Sequence, residues 1–291
     1  MSGVWRDRRS AVGIVLLGAV LATALAAPLV TSGAGGVPAD IVATRFLAPL
    51  SQDAHGSFHL LGTDRIGRDV WGRLVYGGRI SLAVGFLSVT ISVVLGLLIG
   101  GLAGWWRGWP SLGLTALTDF ALALPRVVVL LLLAALWRPS TPLVIVFLGM
   151  TGWMPIARLV QGEVRGLSVR PFVEGAQASG ARPWRVLWRH VLPNALTPVF
   201  VTAALGVGNA MLMEAGLSFF GLGVQPPTPS WGSMIASGRD TLVNAPWVAA
   251  APGVMLAVVV VSCTLVGDGL RDALGRRAAV HRKAFAVIGN R

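Results

Sequence analysis

Apolar residues in this chain gather into long unbroken runs, and the polar and charged residues collect between them. Six runs are long enough to cross about 30 Å of hydrocarbon at about 1.5 Å of helical rise per residue. They are Ala11 to Val30, Ile80 to Gly104, Leu112 to Trp137, Pro142 to Val160, Ala195 to about Ser218, and Trp247 to Val266. The second carries no charge, the third contains Asp119, Pro125 and Arg126, and the fifth is interrupted only by Asn209 and Glu214. This pattern predicts an all-α polytopic membrane protein with six transmembrane helices, because a helix satisfies its backbone polar groups within its own segment. The first run, with its basic start and ALAA, also resembles a secretory signal, although Pro28 directly after Ala27 disfavours a cut there.

Composition agrees: of 291 residues, 54% are hydrophobic, 12% are charged and 37 are glycine. The net charge of +12 does not point to nucleic acid, because the basic residues lie between apolar spans and not on a water-exposed face with aromatics among them. They do set an orientation. With the N-terminus inside, 16 of the 24 lysines and arginines fall on inner pieces and seven on outer ones, with Arg126 inside a span. Both termini are therefore expected on the cytoplasmic side. Cys263 is the only cysteine, which excludes an internal disulfide or a cysteine cluster around zinc.

In this orientation the largest inner interval is Gln161 to Asn194, and it has helical order of its own. Trp184, Leu187, Trp188 and Val191 fall at i, i+3, i+4 and i+7, while Arg182, Arg185 and Arg189 form a second face. Pro183 is placed to open this helix and Pro193 to end it. Upstream, PFVEGAQASG reads as a short helix opened by Pro171 and closed at Gly180, where glycine takes a left-handed conformation without steric penalty. Periodicity alone leaves two readings: helices lying in the membrane interface, or a docking surface for a soluble subunit.

Residue identity separates them. Glu174, Gly175 and Ala176, then Gly180 after three residues, then His190, Val191, Leu192 and Pro193 after nine more, resemble the EAA loop of importer-type ABC transporter permeases. Gly175 stands where alanine is usual and His190 where isoleucine is usual; the first change is expected to loosen the helix by about 1 kcal/mol. LGTDRIGRDVWGRLVYGGRISLAVG, WMPIARLVQGEVRGLSVRPFVEGAQASG, EAGLSFFGLGVQPPTPSWGSMI and GDGLRDALG follow in order from Leu61 to Gly275. Together they are similar to the dipeptide, oligopeptide and nickel permeases, specifically their C-type subunit.

The resemblance implies one half of a type-I ABC importer in the cytoplasmic (inner) membrane, with residues 1–79 as tail, first helix and external segment. Residues 80–268 would be the five-helix permease core with its coupling loop at 161–194, and 269–291 a basic tail. Implied partners are a homologous second permease subunit, two cytosolic ATPases and an external substrate-binding protein. ATPase coupling would fall to Glu174, Gly175, Ala176, Ser179, Gly180, Leu192 and Pro193. The chain would bind no cofactor, and ATP would be used by its partners. An independent negative agrees: the only lysine is Lys283, in HRKAF, so no phosphate-cradling loop ending in Gly-Lys-Ser/Thr exists.

Other polar positions carry weaker expectations. Arg126 and Glu214 are expected to face the interior, toward a pathway or a subunit interface, because charges within a bilayer are expensive. Asp119 and Arg126, seven apart on one predicted helix, would lie about 10 Å apart along it, too far to pair. His55 and His59 near Asp53 lack a helical pattern and make a poor metal site. Arg65, Arg68, Arg73 and Arg79 with Asp64 and Asp69 form either a docking surface or a solvated membrane-proximal stretch. The loop containing Pro226, Pro227 and Pro229 either seats a binding protein or caps the bundle. A secondary transporter would show repeated halves around a coupling-ion site, and a membrane hydrolase would show clustered His, Asp, Ser or Glu; neither pattern is present. Peptides lead as the cargo by family frequency, with nickel as the alternative.

Overall fold

The computed structural model describes residues 8–31, 36–38, 40–54 and 56–288, with side chains as far as Ala273. Among these residues, five helical stretches are long and apolar enough to cross a membrane, and a sixth is a bent pair. The chain opens with α1 (Arg8–Leu25), a short α2 (Ala27–Val30) and α3 (Ile41–Thr44). The only sheet among the described residues is an antiparallel pair, β1 (Ser51–Gln52) with β2 (Phe58–His59), in which Ser51 faces His59. Next come α4 (Val70–Trp105), α5 (Trp109–Ala123), α6 (Arg126–Leu136), α7 (Thr141–Met150) and α8 (Trp153–Ser168). The remaining elements are α9 (Pro171–Ala178), α10 (Pro183–Val186), a π-helical turn (Leu187–Val191), α11 (Leu192–Phe219), α12 (Trp231–Gly238) and α13 (Trp247–Ile288).

Several boundaries differ from the sequence expectation, among them the end of the last span, where α13 continues past Val266. The second span begins at Val70, ten residues before Ile80, where the Asp69 carboxylate accepts the Gly72 N–H at 2.7 Å and caps the helix. Its early arginines do not prevent this: Arg73 is buried with its Nε 3.9 Å from Asp64, and Arg79 is exposed over Tyr76. The third run is not one helix. Its halves, α5 and α6, meet at 84° because Pro125 removes a donor and pushes Leu124 to an extended conformation (ψ 132°).

In the fourth run, a turn at Thr151 and Gly152 separates α7 from α8, which continues past Val160 to Ser168. Gln161 and Val164 are buried in it, so the polar interval starts at Val169 and not at Gln161. Pro193 does not end its helix. A π-type bond from Leu192 N–H to the Leu187 carbonyl widens the turn before it, and the helix runs on without a break from Pro183 to Phe219.

Helix α4 is the centre of the bundle, packing on α1, α5, α7, α8 and α11. Its glycines at 96, 100 and 104 recur every four residues and line one face. A Cβ on Gly96 would lie 2.6 Å from Ile156 Cγ2, one on Gly104 would lie 2.8 Å from the Gln161 carbonyl, and one on Gly100 would strike the Ala157 carbonyl. Without a hydrophobic driving force between helices in lipid, such small-residue seams let two backbones close to van der Waals contact. Three apolar cores result: one around Val70, Leu82, Met211, Trp231 and Val259, one around Val84, Leu130, Leu148 and Leu217, and one under the 169–191 hairpin.

Candidate functional site

The hairpin is anchored by few residues and exposes the rest. Val173, Val186, Leu187 and Val191 are fully buried against Val160 and Val164 of α8 and Ala195 of α11. Helix α9 ends in a Schellman motif: Gly180 has φ +83°, its N–H bonds the Gln177 carbonyl at 3.0 Å, and the Ala181 N–H reaches back to the Ala176 carbonyl at 3.1 Å. The glycine closure expected at 180 is therefore present. Glu174, Gly175, Ser179 and Gly180 are exposed and Ala176 is half-buried, so five of the predicted coupling residues lie on or beside one surface. Leu192 is buried in the anchoring core, whereas Pro193 is exposed at the start of α11.

The expected four-residue apolar face divides at the π turn. Leu187 and Val191 point into the core, while Trp184 and Trp188 are 55% and 40% exposed and meet edge to face at 5.3 Å. The added residue per turn rotates the tryptophans off the buried stripe, and no periodicity of 3.6 anticipates that.

Glu214 is fully enclosed at the opposite end of the bundle. Its Oε1 accepts the Ser218 hydroxyl at 2.7 Å and the Ser230 hydroxyl at 2.8 Å. Ser230 also caps α12 in a reciprocal capping box with Ser233. Trp231 beside it is buried, its indole N–H donating to the Leu74 carbonyl at 2.8 Å and its backbone N–H to Ser81 Oγ at 3.0 Å. The proline-containing segment thus leads into a short helix that folds back onto α4 and α11. Within this chain the Glu214 carboxylate is buried and faces that helix.

Asp64, Arg68 and Arg73 form a knot at the start of α4, while Arg65 and Arg79 are exposed. Asp64 accepts the backbone N–H groups of Ile66 and Arg68 at 3.0 Å each and the Arg68 Nε at 2.7 Å. Thr63 ties this turn to α13, where the Trp247 indole N–H reaches the Thr63 carbonyl at 3.3 Å. His59 Nδ1 lies 3.0 Å from Asp69 and its Nε2 3.6 Å from Asp53, linking β2 to the cap of α4. His55 lies outside the described residues, and no metal-holding group of three or more His, Cys, Asp or Glu occurs among those described.

Arg126 opens α6 at the 84° break, so it does not share a helix with Asp119. Asp119 pairs instead with Arg158 of α8. The Arg126 guanidinium donates from Nη2 to the Leu148 carbonyl at 3.1 Å and from Nε to Thr151 Oγ1 at 3.3 Å. It also lines a cavity of about 200 Å³ with Ser88 and Ser92 of α4 and Thr202 and Asn209 of α11. Of those four polar residues, the sequence pattern marks only Asn209, as an interruption of the fifth apolar run. Ser88 and Ser92 carried the remaining signal, being hydroxyls one turn apart in an uncharged span.

This bundle, with an anchored surface hairpin at one end and a polar cavity within, is that of a transport permease. Residues 80–280 match the binding-protein-dependent transport system inner membrane component family, and the chain belongs to that family. It is 34% identical over 269 residues to the dipeptide transport system permease protein DppC of Alkalihalophilus pseudofirmus, covering 92% of this chain and 86% of that one. It is 42% identical over 221 residues to a probable peptide ABC transporter permease protein of Sinorhizobium fredii, covering 76% of each. A glutathione transport system permease protein of Pectobacterium atrosepticum is 37% identical over 218 residues, 75% of this chain and 72% of that one. In fold, the chain is similar to a subunit of the inward-facing MetNI methionine ABC transporter, with a TM-score of 0.56 and 23% identity over 69% of this chain and 95% of that one. The protein is a multi-pass inner-membrane permease subunit of a binding-protein-dependent ABC importer, and such subunits lack ATPase activity.

Proposed function

We propose that this permease carries peptides, with dipeptides and short oligopeptides as the class, delivered by an external binding protein. Peptide transport names several of its relatives, at 34% to 42% identity over three quarters or more of the chain. It works beside a homologous second permease subunit and two ATPases, one of them seated on this hairpin, with both termini on the ATPase side. Arg6 and Arg291, which contribute to that orientation, lie outside the described residues.

The observation that carries the coupling assignment is α9 itself: one side chain, Val173, is sunk in the core while Glu174, Gly175, Ser179 and Gly180 stand exposed. A helix held this way moves with α8 and α11 yet offers its outer surface to a partner. Binding of ATP by the partners then shifts the permease between two openings only to the extent that the contact differs between them. The test is the complete transporter in proteoliposomes carrying Gly180→Trp or Glu174→Arg. The expected result is loss of ATP-driven peptide uptake, or loss of ATPase co-purification, with the permease still folded. Full uptake with normal ATPase retention in both variants would sink the assignment.

A further inference from the structure

We infer that Arg126 and its hydroxyl-lined cavity form a passing subsite for the C-terminal carboxylate of a peptide in transit. This rests on the peptide reading above.

An arginine among membrane-spanning helices is expensive unless a counter-charge meets it. Among the described residues, no carboxylate lies within ion-pair distance of Arg126; the one ion pair among α5 to α8 joins Asp119 to Arg158. Two of its five N–H donors are used, on Thr151 and Leu148, and these bonds fix the guanidinium plane. The other donors remain for a ligand. The cavity they adjoin has no acidic lining, and its polar groups are the hydroxyls of Ser88, Ser92 and Thr202 and the amide of Asn209. The Ser88, Ser92 and Thr202 hydroxyls already donate to the Ile145, Gly149 and Pro198 carbonyls, so the donors left for a ligand are the Arg126 guanidinium and the Asn209 amide, which suit an anion, while no carboxylate lines the cavity to pair with an ammonium group.

Three further features agree. Arg126 is the first residue of α6, so the unpaired N–H groups of that turn add positive potential. Gly152 faces the guanidinium: a Cβ there would lie 3.2 Å from Nη2 and would strike Ser92 Oγ, so the glycine keeps the approach open. About 200 Å³ accommodates a chain terminus and not a long peptide, which fits brief contact during passage. Guanidinium and carboxylate match as a two-pronged pair, which ammonium does not reproduce.

The test measures uptake of dialanine and of dialanine amide by the complete transporter in proteoliposomes, each at a concentration that saturates the binding protein. Comparison of variant with wild type within each substrate cancels selection by the binding protein. Arg126→Gln is expected to lower dialanine uptake at least tenfold and to leave amide uptake within twofold, with Arg126→Lys recovering part of the loss. Asn209→Asp, which leaves both Arg126 bonds in place, is expected to lower dialanine uptake at least threefold and to spare the amide. Equal losses for both substrates mean that Arg126 only pins α6 or pairs with the second permease subunit, and would overturn the inference. So would unchanged dialanine uptake in either Arg126→Gln or Asn209→Asp. Wild-type transporter that takes up no dialanine would overturn the peptide reading and this subsite with it, whereas normal wild-type uptake with equal losses overturns the subsite alone.

Discussion

Glu214 and Ser230, sixteen residues apart, are joined by a buried 2.8 Å hydrogen bond from hydroxyl to carboxylate. That bond fastens α12 to α11, and the same carboxylate oxygen also receives Ser218. Removing the acceptor strands two buried hydroxyls, so Glu214→Ala is expected to destabilise the protein by about 1–3 kcal/mol. Glu214→Gln keeps an acceptor and should cost less. Thermal unfolding of the detergent-solubilised subunit checks the order; a Gln variant as damaged as the Ala variant contradicts it.

The α4–α8 seam makes a steric prediction. Gly100→Leu drives a side chain into the Ala157 carbonyl, which is backbone and cannot yield. Overpacking of this kind costs about 1–3 kcal/mol, so the folded fraction recovered after solubilisation should fall. Gly113→Ala, where nothing lies within 4 Å, is the control and should be neutral or mildly stabilising.

Gly175 and Gly180 are both exposed, an added methyl would meet nothing within 4 Å at either, and they differ in backbone conformation alone. Alanine at 175 sits within a helix and should stabilise by about 1 kcal/mol. Alanine at 180 must adopt φ +83° and should destabilise by about 1–2 kcal/mol. Opposite shifts in unfolding midpoint are expected, and shifts of the same sign would refute the Schellman assignment.

The ion pair of Asp119 with Arg158 is about half exposed at both side chains. Such a pair contributes about 0–1 kcal/mol. Asp119→Asn should therefore leave stability nearly unchanged, and the exchanged pair Asp119→Arg with Arg158→Asp should match the wild type. A loss of several degrees in midpoint for Asp119→Asn alone would show that the carboxylate is desolvated in the membrane.

Much of this architecture was legible because long apolar runs and helix punctuation are local signals. Pro171 and Gly180 bound their helix as their chemistry dictates, and the existence of the apolar spans, though not all their boundaries, follows from hydropathy. What escaped notice depends on partners distant in sequence. Val70 begins a helix because Asp64 and Asp69 neutralise and cap its charged opening, and hydropathy counts charges without seeing their counter-charges. Pro125 and Pro193 carry the same missing N–H, yet one breaks its helix at 84° and the other is absorbed by a π turn. The difference lies in neighbours: Val191 and Leu192 are held in a core just before Pro193, while Leu124 is exposed and free to extend. The cavity at Arg126 was half visible, as a lone charge in a span, but its hydroxyl walls come from helices far apart in the chain.

The unbroken course of the helix from Pro183 to Phe219 makes Arg185 and Asn209 two points on a single rod, about 36 Å apart at about 1.5 Å per residue. A push on the near end swings the far point, with no loop in between to absorb it. The five-residue turn at Leu187–Val191 and Pro198 inside α11 are then the compliant joints in the linkage, and their stiffness sets how much of a stroke begun outside the membrane arrives beside Arg126.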